Sequence, residues 1–137
     1  MDINKLCALA IDARKMSYAP YSYYAVGAAL LSKSGKVFTG CNIENSAFSP
    51  SVCAERTAFF KAISEGETEF ERIAIAAGNV NSEKLNADVT PCGVCRQVMR
   101  EFCKDDFEII CVADTESFKK YSLKELLPNG FSGSNLK

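Results

Sequence analysis

The chain has no histidine among its 137 residues. That absence excludes Ser-His-Asp and Cys-His nucleophilic systems and every histidine metal ligand, so any acid–base group must be Glu, Asp, Lys, Tyr or Cys. There is no excess of charge either: 16 Lys and Arg stand against 17 Asp and Glu, a net charge of −1. The basic residues are scattered, without the stripe that a duplex-binding protein carries. No apolar run approaches the roughly 18 residues of a membrane span. The opening Met1-Asp2-Ile3-Asn4-Lys5, followed by Asp12, Arg14 and Lys15, lacks the pattern of a signal peptide. These absences predict a soluble cytoplasmic protein with no nucleic-acid or membrane partner.

Cysteine, by contrast, is plentiful, with seven residues. An odd number without a secretion signal argues against a disulfide framework and for reduced thiols or a metal. The remaining mix, 47% apolar and 24% charged, is that of an ordinary globular protein. The length suits a single domain over residues 1–137.

Ile3, Leu6, Cys7 and Ala10 recur at helical spacing, which predicts an amphipathic helix over 2–16 that stops before Ala19-Pro20. Ala25–Leu31 reads as an apolar strand, Ser32–Gly35 as a hairpin turn and Val37–Ile43 as the alternating return strand. Phe38, Gly40 and Asn42 share one face of that strand, which Glu44 continues. A second helix is predicted from about Val52 to Glu65, ending at Gly66. Arg72–Gly78 reads as a buried strand and Asn79–Val89 as a polar loop. Thr90 and Pro91 fit the N-cap and first position of a third helix. Ile109–Ala113 and Phe118–Tyr121 are the remaining strands. A capping box at Ser122–Glu125 opens a short last helix, and the Gly-, Ser- and Asn-rich tail from Gly130 is expected to be mobile. A hairpin followed by helices alternating with buried strands predicts a three-layer α/β/α sandwich with a mixed sheet.

The chemistry concentrates in Cys53-Ala54-Glu55 and Pro91-Cys92-Gly93-Val94-Cys95. Cys92 and Cys95, three apart in a first helical turn, can hold one zinc ion. Cys53 falls at the start of the preceding helix, so two helix N-termini would aim at the metal and stabilise thiolates. Three thiolates leave a fourth zinc position for water, and Glu55 can take its proton without being a ligand. Arg56 and Arg96 each directly follow a motif residue and are candidates to offset thiolate charge by hydrogen bonding to sulfur. A lone Cys-x-x-Cys is equally a structural zinc knuckle or two small core residues, and a lone Cys-x-Glu is close to chance. Both motifs at helix starts, with no fourth Cys or His ligand nearby, point to a catalytic site. Cys7, Cys41, Cys103 and Cys111 lie on apolar faces and read as packing residues.

The pair of motifs matches the nucleobase-deaminase signature in its three-cysteine form. With Tyr18-Ala19-Pro20-Tyr21-Ser22, Val26–Leu30, Gly40–Asn45, Cys53–Ala58, Pro91–Gln97 and Glu125-Leu126-Leu127-Pro128, the chain resembles the small homotetrameric zinc-dependent cytidine deaminases over most of its length. The resemblance implies one zinc per chain on Cys53, Cys92 and Cys95. It implies Glu55 as the shuttle that moves protons from a zinc-activated water to the pyrimidine and its departing amine. Asn42 and Glu44 would bind ribose hydroxyls, in accord with their shared strand face. Tyr24 falls where the family stacks an aromatic, usually Phe, beside the base. Ala54 falls among the substrate contacts, and Phe131 resembles an aromatic donated by a neighbouring subunit. Phe48 stands where many relatives have Tyr, and the Asn79–Val89 stretch is longer than usual.

The expected reaction is hydrolytic deamination of cytidine and 2′-deoxycytidine to the uridines and ammonia, serving pyrimidine salvage. The rivals are the same chemistry on another amine, such as a blasticidin-type nucleoside antibiotic or a base within RNA, and a non-catalytic zinc-stabilised binding module. Asn42 and Glu44 favour a free sugar, and the acidic net charge disfavours polynucleotide.

Overall fold

The computed structural model describes all 137 residues. Asp2 caps the first helix, α1 (Ile3–Ala13), its carboxylate accepting from the Asn4 N–H at 3.2 Å. The helix tightens into a 3-10 turn at Arg14–Met16 ahead of Pro20. β1 (Tyr24–Ser32) and β2 (Val37–Cys41) form an antiparallel hairpin whose turn places Gly35 at φ 93°, a conformation natural to glycine. After α2 (Ala54–Ser64), β3 (Phe70–Asn79) returns antiparallel to β1. α3 (Gly93–Phe102) then crosses over to β4 (Glu108–Val112), which lies parallel to β3. β5 (Phe118–Ser122) closes the sheet antiparallel to β4, giving the order β2-β1-β3-β4-β5. Ser122 and Glu125 form the expected capping box of α4 (Leu123–Leu126).

Both faces of the sheet are covered, so its inner strands are near-continuous apolar runs. Ala28, Leu30, Ile73, Ile75 and Ile109 pack under α2 and α3 with Ala58, Phe59 and Met99. Ala29, Leu31, Ala74, Ala76 and Ile110 pack under α1 with Leu6, Cys7 and Ala10. This is the three-layer sandwich with a mixed sheet. Two glycines set how closely the helices ride. A Cβ on Gly27 would lie 2.1 Å from the Ala10 carbonyl oxygen, and one on Gly40 would lie 2.5 Å from the Ala58 nitrogen. The second contact fixes the start of α2 against β2, which positions the site.

Several boundaries differ from the sequence expectation. β2 ends at Cys41, because Ile43 leaves β1 and bridges to Tyr18 and Val52 instead. Val52 therefore belongs to that bridge, and Cys53 is the N-cap of α2. The third helix begins two residues later than expected, with Cys92 as N-cap. Thr90 and Pro91 do not start it: the Thr90 hydroxyl accepts from Arg96 Nη2 at 2.8 Å and the Pro91 carbonyl from Arg96 Nε at 2.7 Å. Cys41 is only half-buried, whereas Cys7, Cys103 and Cys111 are buried as packing residues. The tail holds a 3-10 turn at Gly133–Leu136 with its own capping box.

Candidate active site

Cys53 and Cys92 are both helix N-caps, and neither sulfur accepts a capping bond from the backbone N–H groups of its helix. Their sulfurs are thus free to turn outward along the helix axes. Cys95 follows in the first turn of α3. The three Sγ atoms lie within 4.8 Å of one another, with Cys53–Cys92 at 3.7 Å and Cys92–Cys95 at 3.5 Å. A tetrahedral zinc with Zn–S bonds near 2.3 Å separates its sulfurs by about 3.8 Å, so the three thiols fit that ion. The cluster contains no fourth ligand, which leaves one tetrahedral position for a water.

The electrostatics set Cys53 apart from the packing thiols, while Cys95, hydrogen-bonded to Cys53 and buried, is pushed up. Hydrogen bonding from Cys95, then from Arg56 and Cys92, holds Cys53 well below the ordinary thiol value despite its burial. Arg56 Nη2 donates to Cys53 Sγ at 3.5 Å. Burial instead pushes Cys7 and Cys111 up to about 11 and Cys103 to about 12, so they stay protonated and inert. Arg96 does not reach a sulfur. Its guanidinium is spent on Pro91 O, Thr90 Oγ1 and, at 2.6 Å, Leu126 O. It braces the chain leading into Cys92 rather than the metal cradle.

Glu55 sits in the first turn of α2, only 5% exposed. Burial raises its pKa to about 7, opposed mainly by its own backbone N–H and by Arg56. A carboxyl poised near neutrality can both accept and donate a proton at physiological pH. It lines a cavity of about 510 Å³ together with Cys53, Cys92, Ala54, Tyr24, Asn42, Glu44 and Phe48. Zinc cradle, proton carrier and polar pair therefore share one pocket. Phe131 is 56% exposed and is absent from the pocket of its own chain; its carbonyl accepts from Gln97 Nε2 at 2.9 Å.

Asn42 and Glu44 reach the pocket for a reason other than a continuous strand, since β2 has already ended. Asn42 Nδ2 donates to Tyr24 O at 2.8 Å, and its Oδ1 accepts from the Val26 N–H at 2.9 Å and from the Ser17 hydroxyl. With Oδ1 fully used, the amide offers a ligand only its second N–H. Glu44 accepts from the backbone of Tyr21 and Ser22, and its pKa is lowered, chiefly by the Ser22 hydroxyl. An N–H donor beside a carboxylate acceptor suits a hydroxyl, which can accept and donate at once.

Ser22, Val26, Val52, Ile75, Val89 and Thr90 also line the cavity. The apolar ones carry no chemical signal in sequence. Ser22 and Val26 belong to the blocks that carry the family resemblance.

Cysteines at two helix starts around a metal-sized gap, with a buried carboxyl beside them on a mixed α/β sheet, define a metal-dependent hydrolytic site. A model of the family described as "Cytidine and deoxycytidylate deaminase zinc-binding region" matches residues 1–111. The cytidine deaminase of Sporosarcina psychrophila is 43% identical over 136 residues, 99% of this chain and 96% of that one. The probable cytidine deaminase of Dictyostelium discoideum is 42% identical, covering 98% of this chain and 87% of its own. The crystal structure of cytidine deaminase from Burkholderia pseudomallei superposes with a TM-score of 0.84 at 40% identity, covering 96% of this chain and all of that one. The chain belongs to the zinc-binding cytidine deaminase family.

Proposed function

We propose that this chain, over residues 1–137, hydrolyses the 4-amino group of cytidine and 2′-deoxycytidine, giving the corresponding uridine and ammonia. The observation that carries this is a three-thiol zinc cradle beside a buried carboxyl, in the same cavity as an amide–carboxylate pair suited to a sugar hydroxyl. Cys53, Cys92 and Cys95 would hold the ion, and Arg56 would relieve part of the thiolate charge. A zinc ion held there would supply a water acidified toward neutral pH. Glu55 would do the proton work: it accepts a proton from the nucleophilic water and delivers it to ring N3 as oxygen adds to C4, then takes the second proton from the new C4 hydroxyl and gives it to the departing amine, leaving the C4 carbonyl and ammonia. Burial keeps the Glu55 pKa near 7, so one carboxyl serves each transfer without a histidine. Asn42 and Glu44 grip the sugar, Tyr24 lies beside the base, and Ala54 contributes to the pocket wall.

The exposed Tyr18, Tyr21, Phe48 and Phe131 support a homotetramer in which Phe131 enters a neighbour's site. Thiolate ligands favour the reducing cytoplasm, where the activity would serve pyrimidine salvage. The test is Glu55→Gln, which keeps shape and polarity but carries no proton. The variant should keep zinc and cytidine binding while turnover falls at least the roughly hundred- to ten-thousandfold of a positioned acid–base group. Near wild-type turnover at full zinc would remove Glu55 from the mechanism.

A further inference from the structure

The turn Tyr21–Tyr24 holds Glu44 through two backbone N–H groups and one side-chain hydroxyl. Ser22 Oγ donates to Glu44 Oε2 and itself accepts from the Tyr24 N–H at 3.1 Å. The N–H groups of Tyr21 and Ser22 both reach Glu44 Oε1 at 3.1 Å. A carboxylate offers about four acceptor positions. The turn fills both on Oε1 and one on Oε2, which leaves a single lone pair, on Oε2, for a ligand. Because Ser22 occupies the other position on that oxygen, its hydroxyl decides where the free lone pair points.

The turn is clamped to make this possible. Tyr23 has φ 58°, in the left-handed region that a bulky aromatic rarely adopts. Its N–H donates to Ala19 O at 3.1 Å and its carbonyl accepts from the Val80 N–H at 2.9 Å. A strained residue fixed from both sides beside a ligand cavity is the mark of a preorganised contact. The lowered pKa of Glu44, whose largest cause is the Ser22 hydroxyl, agrees with a carboxylate held ionised in that pose.

We propose that Ser22 is a positioning residue for sugar recognition: its hydroxyl, braced by the Tyr24 N–H, aims the remaining acceptor of Glu44 at the nucleoside. This rests on the proposed cytidine deamination. Ser22 is remote in role from the proton transfers, so its loss acts on binding of the sugar and leaves the chemical step alone.

The experiment measures kcat and KM for cytidine with the zinc-loaded full chain. The variants are Ser22→Ala, Ser22→Thr, Glu44→Ala and the Ser22→Ala/Glu44→Ala double. Ser22→Ala should raise KM about tenfold, in line with loss of a hydrogen bond to a charged group, with kcat within about twofold. Ser22→Thr keeps the hydroxyl and should stay within about threefold of wild type. In the Glu44→Ala background, Ser22→Ala should add less than about twofold, because its target is gone. A fall confined to kcat, a Thr variant as impaired as Ala, or independent effects in the double variant would overturn the proposal while cytidine turnover by the wild type stands. A wild-type protein inactive on cytidine would overturn the functional reading, and this proposal with it.

Discussion

Cys53 and Cys95 differ from the packing thiols in company. Each lies near another sulfur and near Arg56, whereas Cys7, Cys103 and Cys111 are buried in the two apolar clusters without a sulfur partner. Arg56→Ala should therefore weaken zinc binding about ten- to a hundredfold, as loss of a hydrogen bond behind a ligand typically does. Competition with a chelator measures it; unchanged affinity would mean that Arg56 does not support Cys53. Arg96→Ala should instead destabilise the fold and leave the pH dependence of turnover alone, since its three partners are two carbonyls and a threonine. Adjacency in sequence suggested that both arginines serve the sulfurs. A helix sends successive side chains about 100° apart, and only the three-dimensional path shows which one returns to the metal. The cysteines and Glu55 were legible because their spacing is itself the chemistry. Glu44→Ala should cut kcat/KM for cytidine about ten- to more than a hundredfold and affect cytosine, which has no sugar, far less. Equal losses on the two substrates would assign Glu44 elsewhere.

At the level of elements, the contact between β2 and α2 controls the catalytic geometry. Any side chain at Gly40 would drive into the backbone of Ala54 and Ala58. Gly40→Ala should push α2 away, displacing Cys53 and Glu55 together, and should cost about 1–3 kcal/mol of stability as overpacked sites do. Denaturant unfolding and zinc content check this: loss of stability with full zinc and full turnover would mean that α2 is not seated by that contact. Ser122→Ala, at the capping box far from the cavity, should cost about 1 kcal/mol and leave turnover unchanged. Strands and helices were readable from periodicity, but their ends near the site were not. Thr90-Pro91 looks like a helix start because both residues favour one. Arg96 claims the Thr90 hydroxyl and the Pro91 carbonyl, so the cap passes to Cys92. Likewise Ile43 continues the alternation of β2 in sequence but pairs with Tyr18 and Val52. In both places hydrogen bonds outside the regular helix or strand pattern override local preference, and both occur where the chain turns into the pocket.

For the whole molecule, the continuous apolar runs Ala25–Leu31 and Ile73–Ala77 announced a sheet covered on both faces, and the two packed clusters are its consequence. What sequence could not reveal is how the layers bring Cys53, Glu55, Asn42, Glu44 and Cys92 from three separate stretches to one cavity. That convergence is the basis of the functional assignment, and it makes activity depend on a single ion per chain. The most direct measurement is a zinc titration of metal-free, refolded protein under reducing conditions, following the loss of cytidine absorbance. Activity should rise in proportion to added zinc and level off at one equivalent per chain, and excess chelator should abolish it. Full cytidine turnover without zinc, or none at one zinc per chain, would contradict the account.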